Sequence, residues 1–466
     1  MHLVKPIARY FSFLIILSSI SIAAYSQENS PFSRYGIGDI YPQQSIATRG
    51  MAGLSAAYTS PQAINTINPA SYGWIGLVTY DFGVSIDART LINATPLGRY
   101  KSTNFIPSYL QLGMPLNKKA GLGLVFGLRP LTRINYSVEA GGRISYDSLG
   151  ITDSIHSLYE GDGGLNQVFA GIGKTWHSKK RPTDNFSIGI NAGYEWGTKF
   201  ISTKIDFPSD SSYENWYRSN STDTVRYWGM FVNPGVMASF TLSEKTNAVT
   251  KIKNTYALAV GASVTLKQQL SGSRDITRQT FTYNDAGEAI PIDSVSKLYG
   301  IHGKINIPVS YTGGFMLQKM ISSGPFQLKK WGIGVDYSFA QWSQYTFYGE
   351  PDQLNDSWMI RAGAEFSPNP LTGKSIFSSG TYRVGYYMGK DYINADGNGY
   401  NVKAVTLGYS FNLRKFHTYD NQFTMIHTAF EFGKRGTNVN NVTENFFKFS
   451  VGLSLSDIWF IKRKYD

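Results

Sequence analysis

Residues 186–196, FSIGINAGYEW, alternate without a break. Phe186, Ile188, Ile190, Ala192, Tyr194 and Trp196 share one face, and Ser187, Gly189, Asn191, Gly193 and Glu195 share the other. Residues 121–128 (GLGLVFGL), 331–339 (WGIGVDYSF) and 447–455 (FKFSVGLSL) repeat the pattern, and Asp336 and Ser338 fall on the small face of the second of these. A period of two is that of a β-strand, whose successive side chains point to opposite faces. A soluble β-sandwich would give the same alternation, with the apolar face in its core. Two features point to lipid instead. The second face is small as well as polar, and many segments begin or end in Tyr or Trp, as aromatic girdles do at membrane interfaces. The pattern predicts an all-β protein, a transmembrane antiparallel β-barrel. About fifteen segments follow it, and bacterial single-chain barrels have even strand numbers. The expectation is therefore about 14 strands, with about 16 as the alternative. One of the fifteen is then a strand inside the barrel, or two form one bent strand. Residues 115–119 and 367–373 read as tight turns. Residues 206–223 and 284–297 read as long polar loops at the opposite, outer end.

Composition sharpens this picture. Tyr, Phe and Trp number 31, 28 and 9 among 466 residues, with 47 Gly and no Cys. A mean hydropathy of −0.22 suits a barrel, in which only alternate residues meet lipid. At the N-terminus, Lys5 and Arg9 precede an apolar run of 14 residues, Phe11 to Ala24. Ala24 and Ser26 then stand at the −3 and −1 positions of a cut before Gln27, the layout of a cleaved signal peptide. Removing 26 residues leaves 440 and lowers the formal charge from +12 to +10. No later apolar run is long enough for a helical span, so a membrane crossing must be made by strands.

Residues 27–73 do not alternate. They hold SPFSRYGIGD (30–39), RGMAGLSAAY (49–58) and INTINPASYG (64–73), dense in Ala, Gly and Ser. A disordered tail would be more polar, and this length is short for an independent core. A segment folded inside the barrel, with the wall as its core, fits better.

These motifs resemble the FadL/TodX outer-membrane family. RGMAGLSAAY leading to INTINPASYG is similar to that family's N-terminal hatch, and Asn68-Pro69-Ala70 matches its NPA motif, although Ser71 stands where Gly is usual. SPFSRYGIGD, GGLNQVFAGIGK (163–174) and the terminal DIWFIKRKYD resemble a Bacteroidota-type subgroup. The resemblance implies a fourteen-stranded barrel plugged by its N-terminus, in which hydrophobic molecules bind and leave sideways through the wall. It divides the chain into a signal peptide (1–26), a plug or hatch (27–73) and the barrel (74–466). Within the plug, Gly36 and Gly38 would allow tight turns. Phe32, Tyr35, Ile37 and Met51 would line an apolar pocket. Arg34 and Asp39 would pair with inward charges such as Glu195 or Asp336, since buried charges need partners. Pro69 would fix a bend into the first strand.

Other chemistry is sparse. His2, His156, His177, His302, His417 and His427 have no metal-ligand spacing, and no G-x-S-x-G elbow is present. His427 with Ser450 is the sole candidate pair for hydrolysis. NADGNGY (394–400) lacks the closing Glu of a calcium loop and reads as a turn. No catalytic residue, metal or cofactor is expected. The pI of 9.4 does not imply nucleic acid in an exported barrel. Lys462, Arg463 and Lys464 suit anionic lipid head groups or a protein partner. Two functions stay open. One is a bacterial outer-membrane channel for passive uptake of hydrophobic, fatty-acid-like molecules. The other is a non-transporting subunit of a larger outer-membrane assembly or secretion complex, in contact with other outer-membrane proteins.

Overall fold

A computed structural model describes residues 30–95, 97–146, 151–181, 183–207, 217–248, 252–287, 289–323, 326–370, 375–395, 397–413, 423–437 and 439–457. The expected signal peptide, His2, His417, and the basic tail with Tyr465 and Asp466 lie outside the described residues.

Fourteen strands form a closed antiparallel ring. They are β1 (Val78–Asn93), β2 (Gly98–Asn117), β3 (Leu122–Tyr146), β4 (Ile151–His177), β5 (Asn185–Asp206) and β6 (Arg218–Thr246). Next come β7 (Lys253–Thr265, continued by Gln268–Tyr283) and β8 (Ala289–Ile307, continued by Ser310–Ser323). The last six are β9 (Phe326–Ala340), β10 (Ser357–Phe366), β11 (Thr381–Ala395), β12 (Asn398–Leu413), β13 (Phe423–Arg435) and β14 (Val442–Asp457). Strand β14 pairs with β1 and closes the ring. The count of fourteen is the expected one. The fifteenth segment is accounted for by one bent strand: β3 carries the 121–128 pattern and continues past a bend where Pro130 and Leu131 interrupt its ladder with β4.

The alternation resolves as expected into outward apolar and inward polar faces. On β5, Phe186, Ile188, Ile190, Tyr194 and Trp196 are exposed, whereas Ser187, Asn191 and Glu195 are buried. The expected long loops are a correction. Residues 218–223 belong to β6 and residues 289–297 to β8, so much of both is strand. Strand length therefore differs around the ring. Strand β10 has 10 residues, close to the minimum for a crossing, whereas β6 has 29. Strands β3 to β8 rise together at one end as a tall sheet, the end at which the sequence places the outer loops.

Residues 30–74 lie within the ring and touch strands on all sides. Ser55 and Ala56 donate their backbone N–H groups to Asp336 of β9, at 2.6 and 2.8 Å. Ala52 N–H donates to Thr406 of β12 (2.8 Å) and Asn68 to the Val236 carbonyl of β6 (3.0 Å). Tyr72 donates to Asn191 of β5 (2.8 Å), and Arg49 to Ser85 of β1 (2.9 Å). This segment explains the small residues of the inner face. A Cβ on Gly261 would lie 1.9 Å from the Ala56 carbonyl, and one on Gly189 would lie 2.3 Å from that of Pro69. The wall is glycine-rich where backbone presses on backbone.

Candidate functional site

Among the described residues, the ladder of the ring is broken at a seam between β2 and β3. The β2–β3 ladder runs from Asn117↔Leu122 to Leu110↔Leu128 and stops. Strand β2 continues to Gly98 paired with β1, and β3 continues to Tyr146 paired with β4. Their facing edges have no mutual ladder among the described residues. The sequence causes this locally. Pro107 and Pro130 lack the N–H that a ladder needs. Ser108 is an extra residue against β1 and Leu131 an extra residue against β4, so both strands bulge at the same level.

SPFSRYGIGD and the residues after it fasten to the β3 side of this seam. Asp39 and Ile40 pair with Arg133 and Thr132 as a two-residue strand. Because β4 takes the other edge of β3 at these positions, the strap occupies the edge that β2 leaves free. Tyr41 N–H donates to the Leu131 carbonyl and Ser30 N–H to that of Asn135, both at 2.9 Å. The Gln43 side chain donates to the Pro130 carbonyl at 3.1 Å. Gly38 has φ +102°, and a Cβ there would lie 2.7 Å from the Arg133 carbonyl. Only glycine fits.

Two cavities flank the strap. A pocket of about 880 Å³ in the seam is lined by Tyr41, Phe82, Ile106, Tyr109, Tyr194 and Trp228 among others. A chamber of about 430 Å³ in the lumen has a mixed lining that includes Arg49, Arg361, Glu431, Trp342 and Phe446. Tyr41, Arg129 and Thr132 line both, so the strap and its β3 anchor separate them.

A buried ion network pins the strap from the lumen side. Asp39 accepts from Arg89 of β1 and from Arg435 of β13, the latter at 2.9 Å. Arg89 also pairs with Asp87 (2.8 Å) and Glu444 (3.2 Å), and Arg435 with Asp391 (3.0 Å) and Glu444 (3.4 Å). Burial pushes the Asp39 carboxyl up, but the guanidiniums of Arg435 and Arg89 outweigh it and hold the group well below the usual carboxylate range.

The pairing expected for Arg34 and Asp39 is thus corrected. Asp39 meets arginines of the wall, Arg34 is exposed, and neither reaches Glu195 or Asp336. Asp336 instead accepts the two N–H groups of Ser55 and Ala56. Glu195 accepts from Gln167 at 2.7 Å, and Gln167 from Arg129 at 2.8 Å. The expected pocket lining is also corrected. Of Phe32, Tyr35, Ile37 and Met51, only Ile37 lines the chamber. Phe32 is buried on Tyr400 at 5.0 Å, Tyr35 packs against the same cluster, and Met51 is buried with Leu54, Tyr58 and Met316. Gly36 has φ +54°, as its expected turn requires. Asn68, Pro69 and Ala70 form the start of a short 3₁₀ helix, Pro69–Trp74. Asn68 caps it, accepting from Ala70 N–H at 3.1 Å while donating to the Ala56 carbonyl at 2.6 Å. His427 meets Ser410 (2.7 Å) and Ser454 (3.1 Å), while Ser450 pairs with Ser85 (2.8 Å). No described group of three His, Cys, Asp or Glu could hold a metal.

Sequence reasoning missed Arg89, Asp87, Arg435, Asp391 and Glu444. A signal existed for the first two. Alternation in β1 puts Asp81, Asp87 and Arg89 on the small face, where a charge needs a partner.

The sequence model of a family described as BamG matches residues 6–466. No curated protein matches the chain in sequence. Among solved structures, a "TodX monoaromatic hydrocarbon channel deltaS2 mutant" is similar with TM-score 0.50 and 13% identity, covering 90% of this chain and 99% of that one. "CymD monoaromatic hydrocarbon channel" gives 0.49 and 14%, covering 91% and 99%. The Ralstonia pickettii toluene transporter TbuX gives 0.47 and 14%, covering 89% and 98%. At these identities the likeness is one of fold.

Proposed function

The chain belongs to the BamG family, and we propose that it is an outer-membrane channel in which the strap gates the β2–β3 seam to apolar molecules. The seam pocket carries this reading. Its lining is mostly aromatic and apolar, with Arg129, Arg133 and Arg226 among it, it sits where the wall lacks a ladder, and the strap and its β3 anchor stand between it and the lumen chamber. The division follows from this. Residues 1–26 are an export signal, 27–73 the plug, and 74–466 the barrel. Displacing residues 30–43 would join pocket and chamber and leave β3 free at the seam. The chamber beyond has Arg49 and Arg361 beside Trp342 and Phe446, which suits an amphipathic molecule better than a pure hydrocarbon. Apolar surface leaving water is worth about 25 cal/mol per Å². A seam of this size therefore gives an apolar guest a real preference for the wall.

A second reading is favoured by the interior. The lumen holds residues 30–74, fixed on many strands and by the ion network, and the chamber lining is not a continuous apolar path. Such a barrel would serve as a subunit of an outer-membrane assembly, with the seam a lipid contact.

Native mass spectrometry and lipid extraction of the protein, purified gently from its own outer membrane, separate the two. A bound apolar molecule without a stoichiometric protein supports the channel. Stable co-purification of other outer-membrane proteins with no bound guest supports the subunit and removes the channel reading.

A further inference from the structure

The tall sheet ends at the outer half of β8, Ala289–Ile307, and this edge carries an unusual combination. One side of the strand pairs with β7. On the other, Ile305 and Asn306 pair with the short strand Thr346–Phe347, Tyr348 donates its backbone N–H to the Lys304 carbonyl (2.9 Å) and its hydroxyl to the Ile301 carbonyl (3.3 Å), and no ladder continues beyond them among the described residues. The β7–β8 ladder is interrupted three times. Ile292 is extra between Pro291↔Phe281 and Asp293↔Thr280, and Val295 between Ser294↔Gln279 and Ser296↔Arg278. Tyr299 and Gly300 stand against the single residue Asp275 between Leu298↔Ile276 and Ile301↔Arg274. Each interruption thus pushes out a large apolar side chain. Ile292, Val295 and Tyr299 are 53%, 73% and 66% exposed, and Ile290 and Leu298 beside them are exposed as well.

We propose that this bulged edge, Ile290 to Tyr299, is the docking surface for a separate, folded protein outside the cell, with an apolar centre and an acidic rim. Four observations select that occupant. Solitary exposed apolar residues are ordinary, but five on one edge form a patch of the kind that marks an interaction site. The bilayer does not cover it. The inner half of β8, Ser310–Ser323, is 14 residues and already spans a membrane. From Ile307 the strand climbs up to about 55 Å further to Ile290. An added strand does not fit, because three bulges remove the regular row of N–H and C=O groups that strand addition needs. The partner must therefore read side chains. A second copy is disfavoured by charge. Arg278, Lys297 and Lys304 around the patch are exposed and in no ion pair with a described residue, and they outnumber the exposed acids Asp285 and Asp293, so two copies would bring mostly like charges together. The same cations suit acidic groups on a different protein. The patch lies away from the seam, so this inference stands or falls separately from the channel reading.

The test uses full-length protein in its native membrane. A photo-crosslinking amino acid is placed singly at Ile292, Val295 and Tyr299, and at Arg226 of β6 as an exposed control. The expected result is one and the same protein crosslinked from all three bulge positions and not from the control. That protein, once identified and purified, should bind the full-length barrel in nanodiscs. Val295→Glu and Tyr299→Glu should each weaken this binding at least tenfold while leaving the thermal unfolding of the barrel unchanged. Lys297→Glu should also weaken it, and high salt should reproduce that loss. Crosslinks only to another copy of this chain, only to lipid or lipopolysaccharide, or no more than at the control would overturn the proposal. So would binding that is indifferent to both glutamate variants.

Discussion

Two joints in the same wall differ sharply. Between β4 and β5 the ladder runs without interruption from His156↔Asp206 to His177↔Asn185. Between β2 and β3 it stops at Leu110↔Leu128, and the N-terminal strap supplies the hydrogen bonds that β3 would otherwise lack there. The first joint is backbone chemistry and needs no particular side chain. The second is a contact with a separate segment, and it rests on Gly38, Asp39 and the two arginines that hold Asp39. A closed barrel has no edge to protect; here a tethered segment covers the edge that the seam leaves on β3, and the proposed gate would act at this place.

The comparison breaks most visibly at the ion network. Arg89→Met leaves Asp39, Asp87 and Glu444 without their shared guanidinium in a buried site. Removing one partner of such a network costs about 3–5 kcal/mol. The variant should unfold at a clearly lower temperature, followed by heat-dependent gel mobility, and should lose hydrogen-exchange protection in residues 30–43. A conservative change at a lipid-facing position of β5, Ile188→Val, should cost no more than about 1 kcal/mol in the same assay.

Next in size is the contact of the plug with the wall. Gly261→Val drives a side chain into the Ala56 carbonyl, and overpacking of this kind costs about 1–3 kcal/mol. Gly313→Ala on the neighbouring strand has its nearest atom at 3.9 Å and should stay within about 0.5 kcal/mol of the parent. Equal thermal shifts for the two would show that residues 30–74 do not press on the wall.

How far these features could be read from the chain follows from their range. Period two placed the strands, their faces and their number, because each strand carries its own pattern. The bend of β3 was hidden, since Pro130 and Leu131 look like a break between two strands. The strap's partners were hidden for a different reason. Asp39 pairs with residues 50 and 396 positions away, and alternation says that Arg89 and Arg435 face inward but not at what height. The tall sheet was read as loops because residues 289–297, at an edge exposed on both faces, have no buried side to create a pattern.

A pH series sharpens the role of Asp39. Its carboxyl is held below the usual range in the folded protein. Its contribution is therefore complete above the unfolded value, about pH 4, and is lost only as pH falls through the lower folded value. The difference in exchange protection of residues 30–43 between the parent and Asp39→Asn should therefore be the same at pH 7 and pH 4.5. Asp39→Asn should lose about tenfold of that protection already at pH 7, equivalent to about 1.4 kcal/mol. The smallest effect belongs to Arg34→Ala. Arg34 is exposed, and its loss should shift stability by less than about 0.5 kcal/mol and leave solute leak unchanged.

The strap as gate is tested most directly by locking it. Ile40 and Thr132 are direct partners in an antiparallel pair, whose Cα separation falls in the range a disulfide accepts. The chain has no other cysteine. The Ile40→Cys, Thr132→Cys protein, reconstituted in vesicles, is assayed for uptake of radiolabelled dodecanoate and toluene before and after reduction. Uptake at least tenfold lower in the oxidised form, restored by reductant to that of the parent, is the predicted result. Equal uptake in the locked and unlocked forms, or none above protein-free vesicles in either, would contradict the account.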